Sequence, residues 1–367
     1  MKYKLSEIGK VVGGGTPSTK QPEYYTDSEI PWITPKDLSG YDKMFISKGN
    51  RDITKSGLEN SSAKLLPAKS ILVSSRAPIG YVAIAKNKIA TNQGFKSIIP
   101  NESLVIPEYL YFVMKTSKQN LEQIASGSTF KEISTKVMSN FEVDIPSMNE
   151  QKRILRYLLP ITRKIEKNIK INDNLLELAK EIYQKEIASS SLIKTTLKDI
   201  ATITMGQSPN SKTYNVEGIG IELLNGAADF RNGIHPSKWT TDPKKIVQKG
   251  AYIFGVRATV GLTRKVFKKY AIGRGTGSAT AKAPVNDEFL YFVLDDMFKY
   301  FSNSGSGSVY INISKSDINN YTVHMPQDSG LESFHQIVGP IMKKIHANEQ
   351  ECLELIKMRE TLLNKFF

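Results

Sequence analysis

The sequence predicts an α+β fold of two similar mixed α/β domains, each followed by a long helix, with the two helices pairing as an antiparallel coiled coil. Three observations predict this fold. A set of short motifs occurs twice in the same order. Inside each set, β-branched runs alternate with Gly, Pro and Asn turns, which is typical of a sheet with a few helices. Each set then ends in apolar residues at alternating spacings of four and three, the pattern of a coiled-coil seam.

The internal repeat is the strongest signal in the sequence. The stretch LSEIGKVVGGGTPSTK at 5–20 returns 192 residues later as LKDIATITMGQSPNSK. Two further motifs, ILVSSRAPIG at 71–80 and EYLYFV at 108–113, return at offsets of 181 and 180 as YIFGVRATVG and EFLYFV. Most of the change in offset lies between Leu38 and Arg76. Two copies that keep their framework but differ in length in one segment indicate one scaffold that carries two different surfaces.

The apolar run at the end of each copy predicts one helix of the pair. The predicted domains are 1–149 and 189–328, and the predicted helices are 150–188 and 329–367. The predicted seam residues are Ile154, Leu158, Ile161, Ile165, Asn168, Leu175 and Ile182 in the first helix, and Phe334, Val338, Ile341, Ile345, Asn348, Leu355 and Leu362 in the second. Asn168 and Asn348 take equivalent positions, where a buried amide costs stability but fixes register. The alternative is that each helix packs alone on its own domain.

Composition favours a polyanionic partner. The formal net charge is +14 and the isoelectric point is about 9.4. The alternative is a soluble protein with a lysine-rich surface, while an acidic membrane surface is disfavoured because the basic residues do not gather on one amphipathic helix. The single cysteine, Cys352, excludes an internal disulfide and fits a reducing compartment. No apolar run reaches the ~20 residues that span a bilayer, and we predict a cytoplasmic protein with no membrane partner.

The sequence lacks the motifs of common catalytic and metal sites. It contains no HExxH, no paired CxxC, no GxSxG and no Asn/Asp-Pro-Pro-Tyr/Phe loop of an adenine methyltransferase. In GGGTPSTK, Lys20 follows Thr19 and not glycine, so the phosphate loop of a nucleotide-binding enzyme is excluded. Asp37 and Asp229 recur at matched positions, but an aspartate before an apolar residue is more typical of a turn or cap than of a general base. We predict no catalytic residue, no metal site, and binding without chemistry.

These motifs resemble, in order and in sequence, those of the specificity subunits of type I restriction–modification systems. In the first copy the resemblance is carried by GGGTPSTKQPEYY, IPWITPKDL, SSRAPIG, TNQGF, EYLYFV, GSTFKEIS and DIPSMNEQKRI. The second copy shows the variant forms MGQSP, LLNGAADF, VRATVG and AIGRGTG. It departs from the family pattern in QDSGLESFHQIV, which lacks the Glu-Gln pair at the start of the helix. The resemblance covers nearly the whole chain.

The resemblance implies a DNA-reading adaptor that is not itself an enzyme. Each domain would be a target-recognition domain for one half of a bipartite, asymmetric double-stranded DNA target, and the paired helices would hold the two domains at a fixed separation. Two methyltransferase subunits would dock and carry S-adenosylmethionine, so that this chain binds no cofactor. Recruitment of restriction endonuclease subunits is left open. Two alternatives remain: a single-chain DNA-modifying enzyme, which the missing motifs disfavour, and a DNA-binding scaffold without a methyltransferase partner.

The candidate DNA contacts follow from residue chemistry and from turn context. The turn GGGTPSTK is predicted to deliver backbone amides and Lys20 to a phosphate, and the alternative is a structural hairpin turn far from DNA. Arg76 and Arg257 share an Arg-Ala-x-x-Gly turn that suits phosphate or guanine, or a framework role with hydrogen bonds to carbonyls. Trp32 is predicted to lie in the core. The predicted DNA-binding residues are Thr16, Ser18, Thr19, Lys20, Lys36, Arg76, Asn92, Gln93, Lys212, Asn225, Arg231, Arg257, Arg274 and Lys315.

Overall fold

The computed structural model describes residues 1–127, 131–231, 233–256, 260–304 and 313–367. These residues form two compact units, one of Met1–Glu166 with Glu354–Phe367 and one of Lys167–Leu353. Each unit contains a globule and a segment of each long helix. Among the described helices, none has both the length and the apolar character that crossing a membrane requires.

The first copy of the repeat supplies the strands and helices of the first globule, followed by a long helix. Its strands are β1 (Lys2–Lys4), β2 (Gly9–Gly13), β3 (Tyr25–Thr26), β4 (Ile30–Ile33), β5 (Phe45–Ile46), β6 (Arg51–Ile53), β7 (Ile71–Val73), β8 (Val82–Ala85), β9 (Ala90–Thr91), β10 (Lys96–Pro100) and β11 (Glu142–Asp144). Its helices are α1 (Leu5–Ile8), α2 (Lys55–Glu59), α3 (Pro107–Thr116), α4 (Lys118–Ile124), α5 (Thr135–Ser139) and α6 (Met148–Ser189), with 3₁₀ turns at Pro22–Tyr24 and Pro35–Leu38.

The first globule is built on three sheets. Their strand orders are β2-β10-β7-β8-β5, β3-β6-β4-β9 and β1-β11. Most neighbours are antiparallel, but β4 pairs with β9 and β5 pairs with β8 in parallel. The strand Ile71–Val73 is buried on both faces. Ile71 and Val73 pack in one core with α3 and the start of α6, and Leu72 packs in a second core with Ile33 and Phe95. This frame holds the loops that follow β2, β4 and β9.

The second copy repeats this architecture. Its strands are β12 (Leu192–Thr196), β13 (Ala201–Met205), β14 (Tyr214–Asn215), β15 (Ile221–Leu224), β16 (Lys238–Thr240), β17 (Ile246–Val247), β18 (Tyr252–Gly255), β19 (Thr263–Lys265), β20 (Tyr270–Ile272), β21 (Thr276–Ala281) and β22 (Thr322–Pro326). Its helices are α7 (Leu197–Ile200), α8 (Asp287–Ser304), α9 (Lys315–Asn319) and α10 (Asp328–Phe366), with 3₁₀ turns at Ser211–Thr213, Ala227–Phe230 and Pro284–Asn286.

The sheets of the second globule follow the same plan with one difference at an edge. The strand orders are β13-β21-β18-β19, β14-β16-β15-β20-β17 and β12-β22. Strands β15 and β20 are parallel neighbours, as β4 and β9 are in the first globule. The edge strand β17 pairs with β20, whereas in the first globule the added edge strand β5 pairs with β8.

Equivalent residues cap equivalent helices in the two copies. Ser134 Oγ accepts a hydrogen bond from the Val137 N–H at 3.2 Å at the start of α5, and Ser314 Oγ accepts one from the Asp317 N–H at 3.1 Å at the start of α9. Each bond satisfies an amide that has no partner inside the helix. The repeated Ile-Ser dipeptide of the sequence is therefore a helix start in both copies.

Helices α6 and α10 pack together in antiparallel directions. In the second unit, Asn348 Nδ2 donates to Asn172 Oδ1 at 2.8 Å, and the rings of Tyr183 and Phe334 lie 6.2 Å apart. Along α6 from residue 172 to 183, the contacted position in α10 moves back from 348 to 334. The two helices therefore run antiparallel. Asn168, which the sequence places on the seam, is buried and donates from Nδ2 to Glu351 Oε2 at 2.8 Å. The predicted fold class is confirmed.

The most buried residues drift from the predicted seam by one position in three places. Thr162 and Tyr183 are buried, whereas the predicted Ile161 and Ile182 are half-buried. Met342 is likewise more buried than its predicted neighbour Ile341. A straight helix with 3.6 residues per turn drifts away from a strict heptad repeat. The drift occurs here because Tyr183 and Met342 also pack into the core of the second globule.

Candidate nucleic-acid interface

Three loops of the first globule meet at one edge of the sheets. Strands β4 and β9 are parallel neighbours, with Trp32 opposite Ala90 and Ile33 opposite Thr91, so the loops that follow them begin at the same edge. The end of β2 lies opposite the start of β10, which brings the turn after β2 to the loop after β9. Residues 14–20, 34–38 and 92–95 are called the first loop cluster below.

The glycines of the turn after β2 allow close packing inside this cluster. The Gly14 N–H donates to the Phe95 carbonyl at 3.3 Å, and the Gly15 N–H donates to the Thr91 carbonyl at 2.9 Å. A Cβ atom on Gly14 would lie 2.0 Å from the Asn92 carbonyl oxygen, which no side chain could tolerate. The predicted delivery of backbone amides to a phosphate is therefore wrong for these two glycines, because both amides are already bonded inside the protein.

The polar side chains of the turn lie beside those of the loop after β9. The Thr16 hydroxyl donates to Gln93 Oε1, and Asn92 Oδ1 accepts from the Gly94 N–H at 2.9 Å. Gly94 in turn packs against Pro35, the neighbour of Lys36. The first loop cluster thus brings together the predicted residues Thr16, Ser18, Thr19, Lys20, Lys36, Asn92 and Gln93, of which Ser18, Thr19, Lys20, Lys36 and Gln93 are exposed.

Arg76 adjoins the cluster but is part of an ion-pair network. Its Nε lies 2.9 Å from Glu132 Oε2, and the largely buried Lys96 Nζ lies 3.3 Å from Glu132 Oε1. Burial alone would raise the pKa of Glu132, but the hydrogen bonds from Arg76 and Lys96 outweigh it and lower that pKa below its ordinary value. The carboxylate therefore stays ionised and holds the guanidinium. This contact favours a framework role for Arg76 over a DNA contact. The partner of the guanidinium is a carboxylate and not the carbonyls that the sequence suggested.

The second globule builds an equivalent cluster from the loops after β13, β15 and β20. Gly206 packs against the Gly273 carbonyl as Gly14 packs against that of Asn92, since a Cβ on Gly206 would lie 2.1 Å from the Gly273 oxygen. Arg274 donates from its backbone N–H at 3.3 Å and from Nε at 3.4 Å to Ser208 Oγ, which also lies 3.5 Å from Asn225 Oδ1. Residues 206–212, 225–230 and 273–275 are called the second loop cluster, and it brings Asn225 and Arg274 together.

Of the other predicted residues of the second copy, Lys212 belongs to the second loop cluster, whereas Arg231 and Lys315 lie outside it. Lys212 is exposed in the 3₁₀ turn after β13, where its N–H donates to Asn210 Oδ1 at 3.1 Å. Arg231 is exposed directly after the second loop cluster, and its carbonyl accepts from Arg264 Nη2 at 3.1 Å. Lys315 is exposed at the first position of α9, which packs against β13. Arg257 lies outside the described residues.

Two further sequence interpretations are confirmed by hydrogen bonds. Asp37 Oδ2 accepts from the Thr34 N–H at 2.7 Å, and Asp229 Oδ2 accepts from the Asn225 N–H at 2.7 Å. Both aspartates hold turns of the loop clusters, as the sequence suggested. Trp32 is buried and donates from Nε1 to the Gly15 carbonyl at 3.0 Å, so it belongs to the core.

Sequence reasoning missed a cation–aromatic pair in each globule. The Arg51 guanidinium lies over the Tyr25 ring, 3.7 Å from its centroid, and the Lys238 ammonium lies 5.8 Å from the centroid of the Tyr214 ring. Arg51 and Lys238 fall in the segment where the two copies differ in length, so their equivalence is visible only in the strand register.

The loop clusters present side chains that are suited to binding. Among the described residues, no group of three or more His, Cys, Asp or Glu side chains could hold a metal ion. The loop clusters instead present hydroxyl, amide, guanidinium and ammonium groups, the donors and acceptors that contact phosphates and base edges in duplex DNA.

Known proteins resemble this chain over most of its length. The model of a family described as "Type I restriction modification DNA specificity domain" matches residues 1–176 and 193–355. The type I restriction enzyme MjaIX specificity subunit of Methanocaldococcus jannaschii is 33% identical over 400 residues, which cover 99% of this chain and 91% of that protein. The EcoR124I/EcoR124II specificity subunit of Escherichia coli is 33% identical over 160 residues, 42% of this chain and 39% of the relative.

A solved structure shares the fold. The crystal structure of a type I restriction–modification system S subunit from M. genitalium superposes with a TM-score of 0.63 at 16% sequence identity, covering 100% of this chain and 96% of that one. At this identity the likeness concerns the fold alone.

Proposed function

The chain belongs to the family of type I restriction–modification DNA specificity subunits, and on that premise we propose that it reads a bipartite, asymmetric target, one half with each globule. It is a recognition subunit and not a catalytic one. In this proposal two adenine methyltransferase subunits dock on the chain and hold the S-adenosylmethionine, so that the chain itself binds no cofactor.

The observation that carries the proposal is the pair of loop clusters on equivalent frames with unlike side chains. Gln93 and Arg274 follow parallel strands β9 and β20 at the same register, and each contacts the hydroxyl of the turn after β2 or β13. Glutamine pairs bidentately with adenine and arginine with guanine in the major groove. One scaffold that presents different readers at matched places is what an asymmetric target requires.

The cationic side chains of the clusters suit the DNA backbone. Lys20 and Lys212 occupy matched positions in the two turns, and both are exposed. Phosphate contacts from such lysines fix the position of a protein on the duplex without reading sequence. The net charge of +14 supports the same partner.

The helix pair offers a surface for the methyltransferase subunits. Tyr157 and Met358 in the first unit are 52% and 55% exposed, and Leu178 and Ile337 in the second unit are 46% and 53% exposed. Tyr157 and Ile337 directly precede the seam residues Leu158 and Val338, and Leu178 and Met358 precede Ala179 and Arg359, which continue the same alternating spacing. In an antiparallel pair such positions on both helices flank the same side of the seam. Large apolar side chains left exposed together mark a protein contact. Two such pairs, one in each unit, support two partner subunits.

The test combines activity with partner docking. The purified chain should transfer no methyl group and cleave no DNA, whereas the chain with its methyltransferase should modify adenine in a split, asymmetric target, measured by methyl-donor incorporation and by sequencing of the modified positions. The double variant Leu178→Lys/Ile337→Lys should lose one methyltransferase subunit by native mass spectrometry, because a charge replaces each apolar contact.

Controls make this outcome specific. Lys344 is exposed and directly precedes the seam residue Ile345. The variant Lys344→Ala should still bind both methyltransferase subunits. Methyl transfer by the rigorously purified chain would contradict the adaptor role. Full binding of both subunits by the Leu178→Lys/Ile337→Lys variant would contradict the docking surface.

A further inference from the structure

Each globule holds an exposed cation against a tyrosine ring at a matched place in its sheets. Arg51 on β6 packs on Tyr25 of β3, and Lys238 on β16 packs on Tyr214 of β14. Both cations are exposed and both tyrosines are half-buried. A cation over an aromatic face is held by the ring's negative electrostatic potential, so its head group is confined without losing its charge.

Strand register shows that the two pairs are equivalent. In the first globule, Ile53 lies opposite Tyr25, and Arg51 lies opposite Trp32 of β4. In the second globule, Thr240 takes the place of Ile53 by lying opposite Tyr214.

Lys238 then takes the place of Arg51, because it lies opposite Leu223 of β15, the strand equivalent to β4. The length difference between the copies hides this match in the sequence. The cation–tyrosine pair has therefore been kept where much of the surrounding segment differs.

The pairs adjoin the loop clusters. The Tyr25 hydroxyl donates to the Pro17 carbonyl at 2.7 Å, so the ring under Arg51 is fastened to the turn of the first loop cluster. In the second globule, Tyr214 directly follows Thr213, whose Oγ1 donates to the Asn210 carbonyl at 2.7 Å inside the turn. Each cation therefore stands beside the surface proposed to contact DNA.

These cations differ from their ion-paired neighbours. Lys55 Nζ lies 3.8 Å from Glu59 Oε1, and Lys244 Nζ lies 2.7 Å from Asp242 Oδ2. Within the described part of the chain, neither Arg51 nor Lys238 lies within ion-pair distance of a carboxylate. Their charge is available to an external anion.

We propose that Arg51 and Lys238 each bind a backbone phosphate of duplex DNA beside the half-target that their globule reads, an assignment that rests on the proposed function. Arginine and lysine share a charge but not a bidentate hydrogen-bond geometry, so what the two copies preserve is attraction to an anion and not recognition of a particular base. The two globules are proposed to read different sequences, so a feature that they share is suited to the phosphate backbone, which is the same in every sequence.

The experiment measures the salt dependence of binding to a duplex of random sequence, using the full-length chain and fluorescence anisotropy. A lost phosphate contact reduces the slope of log K against log salt by about 0.9. We expect this loss in Arg51→Gln and in Lys238→Gln, and about twice the loss in the double variant. The matched controls Lys55→Gln and Lys244→Gln remove cations that already have carboxylate partners, and should leave the slope unchanged.

The variant Arg51→Lys separates a loss of charge from a loss of folding stability. Arg51→Lys keeps the charge and should keep the wild-type slope, whereas a structural requirement for the guanidinium would lower the melting temperature of this variant and of Arg51→Gln alike. An unchanged slope in Arg51→Gln, or a changed base preference at the modified site without a change in slope, would overturn the phosphate assignment. Failure of the wild-type chain to bind any duplex would instead contradict the proposed function.

Discussion

The two loop clusters are built on the same frame and differ in the side chains that they present. Gly14 and Gly206 pack against matched carbonyls, and Asp37 and Asp229 hold matched turns. At the register position after the parallel strands, however, the first globule has Gln93 where the second has Arg274. The comparison separates the two tasks: what the copies share fixes the loops, and what they do not share can distinguish one DNA sequence from another.

The two globules differ most in the segment that follows the 3₁₀ turns at Pro35–Leu38 and Ala227–Phe230. Residues 39–65 of the first globule contain β5 and α2 in addition to β6. The described part of the matching segment 231–246 contains β16 and the first residue of the edge strand β17. Strands β6 and β16 nevertheless keep the same register with their neighbours. The scaffold therefore tolerates an insertion at this edge while the strands beneath it stay in place.

Exchange of a whole globule should produce the largest effect. Replacing residues 1–149 with the corresponding segment of a relative that has a different target should change one half of the modified sequence completely and leave the other half intact, because each cluster lies within one globule. Sequencing of modified adenines in genomic DNA measures both halves at once. A change in both halves would contradict the proposal that each globule reads one half of the target.

The next largest effect concerns His346, a half-buried histidine of the second unit. Burial, with a smaller contribution from Lys265, lowers the pKa of His346 from 6.5 to about 4. The first unit has Glu166 at the matched helix position, where its carboxylate accepts from the Met44 N–H at 2.7 Å. The folded state thus excludes a proton that the unfolded chain binds between pH 6.5 and 4, so stability is lost as the pH falls through this range.

This loss should amount to roughly 3 kcal/mol at pH 4 and below. Urea unfolding at several pH values measures the free energy of unfolding of the wild type and of His346→Leu. As the pH falls from 6.5 to 4, the wild type should lose more of this free energy than the variant does. The raised pKa of the nearby Glu349, caused by burial, gives a pH dependence of its own, but both proteins share it. A stability difference that does not depend on pH would contradict a lowered pKa of His346 in the folded protein.

The smallest effect is expected from a single reader. Arg274→Gln places the first globule's side chain on the second globule's loop, and should cost about 1–3 kcal/mol of discrimination at one base position of one half-target. Gln93→Ala is the matched change in the other globule and should relax a position in the other half. Binding to a panel of singly substituted targets measures both. Uniform weakening across the panel would show that Arg274 contacts phosphate and not a base.

The sequence predicted the elements that depend on local pattern. The β-branched runs around Ile71–Val73 and Tyr252–Gly255 form the central strands β7 and β18, and the alternating apolar spacing forms the helix pair. These features could be predicted because their periodicity is set by the pleat of a strand and the pitch of a helix. The seam drifted by one residue at Thr162 and Tyr183 because packing on a globule is not encoded in the spacing.

The candidate site was predictable only in part. The loops around Gly14 and Gln93 were found because the motifs repeat, but the use of the glycine amides inside the protein depends on the carbonyls of a loop far away in sequence. Arg51 and Lys238 were missed because an insertion shifts one copy against the other, and only hydrogen-bonded register restores the match. Long-range pairing of strands decides such positions, and a single sequence does not display it.

The first and last strands of each globule are hydrogen-bonded to each other. Lys2–Lys4 pairs with Glu142–Asp144, and Leu192–Thr196 pairs with Thr322–Pro326. The two ends of each module are therefore neighbours in space although they are far apart in the gene. Recombination with breakpoints in these short strands would transfer an entire globule. It would interrupt only the two-stranded sheet at the ends of the globule, and an incoming globule of the same kind would form this sheet again. Under the proposed function, such an exchange would change half of the recognition sequence in one step, without passing through a series of weakened intermediates.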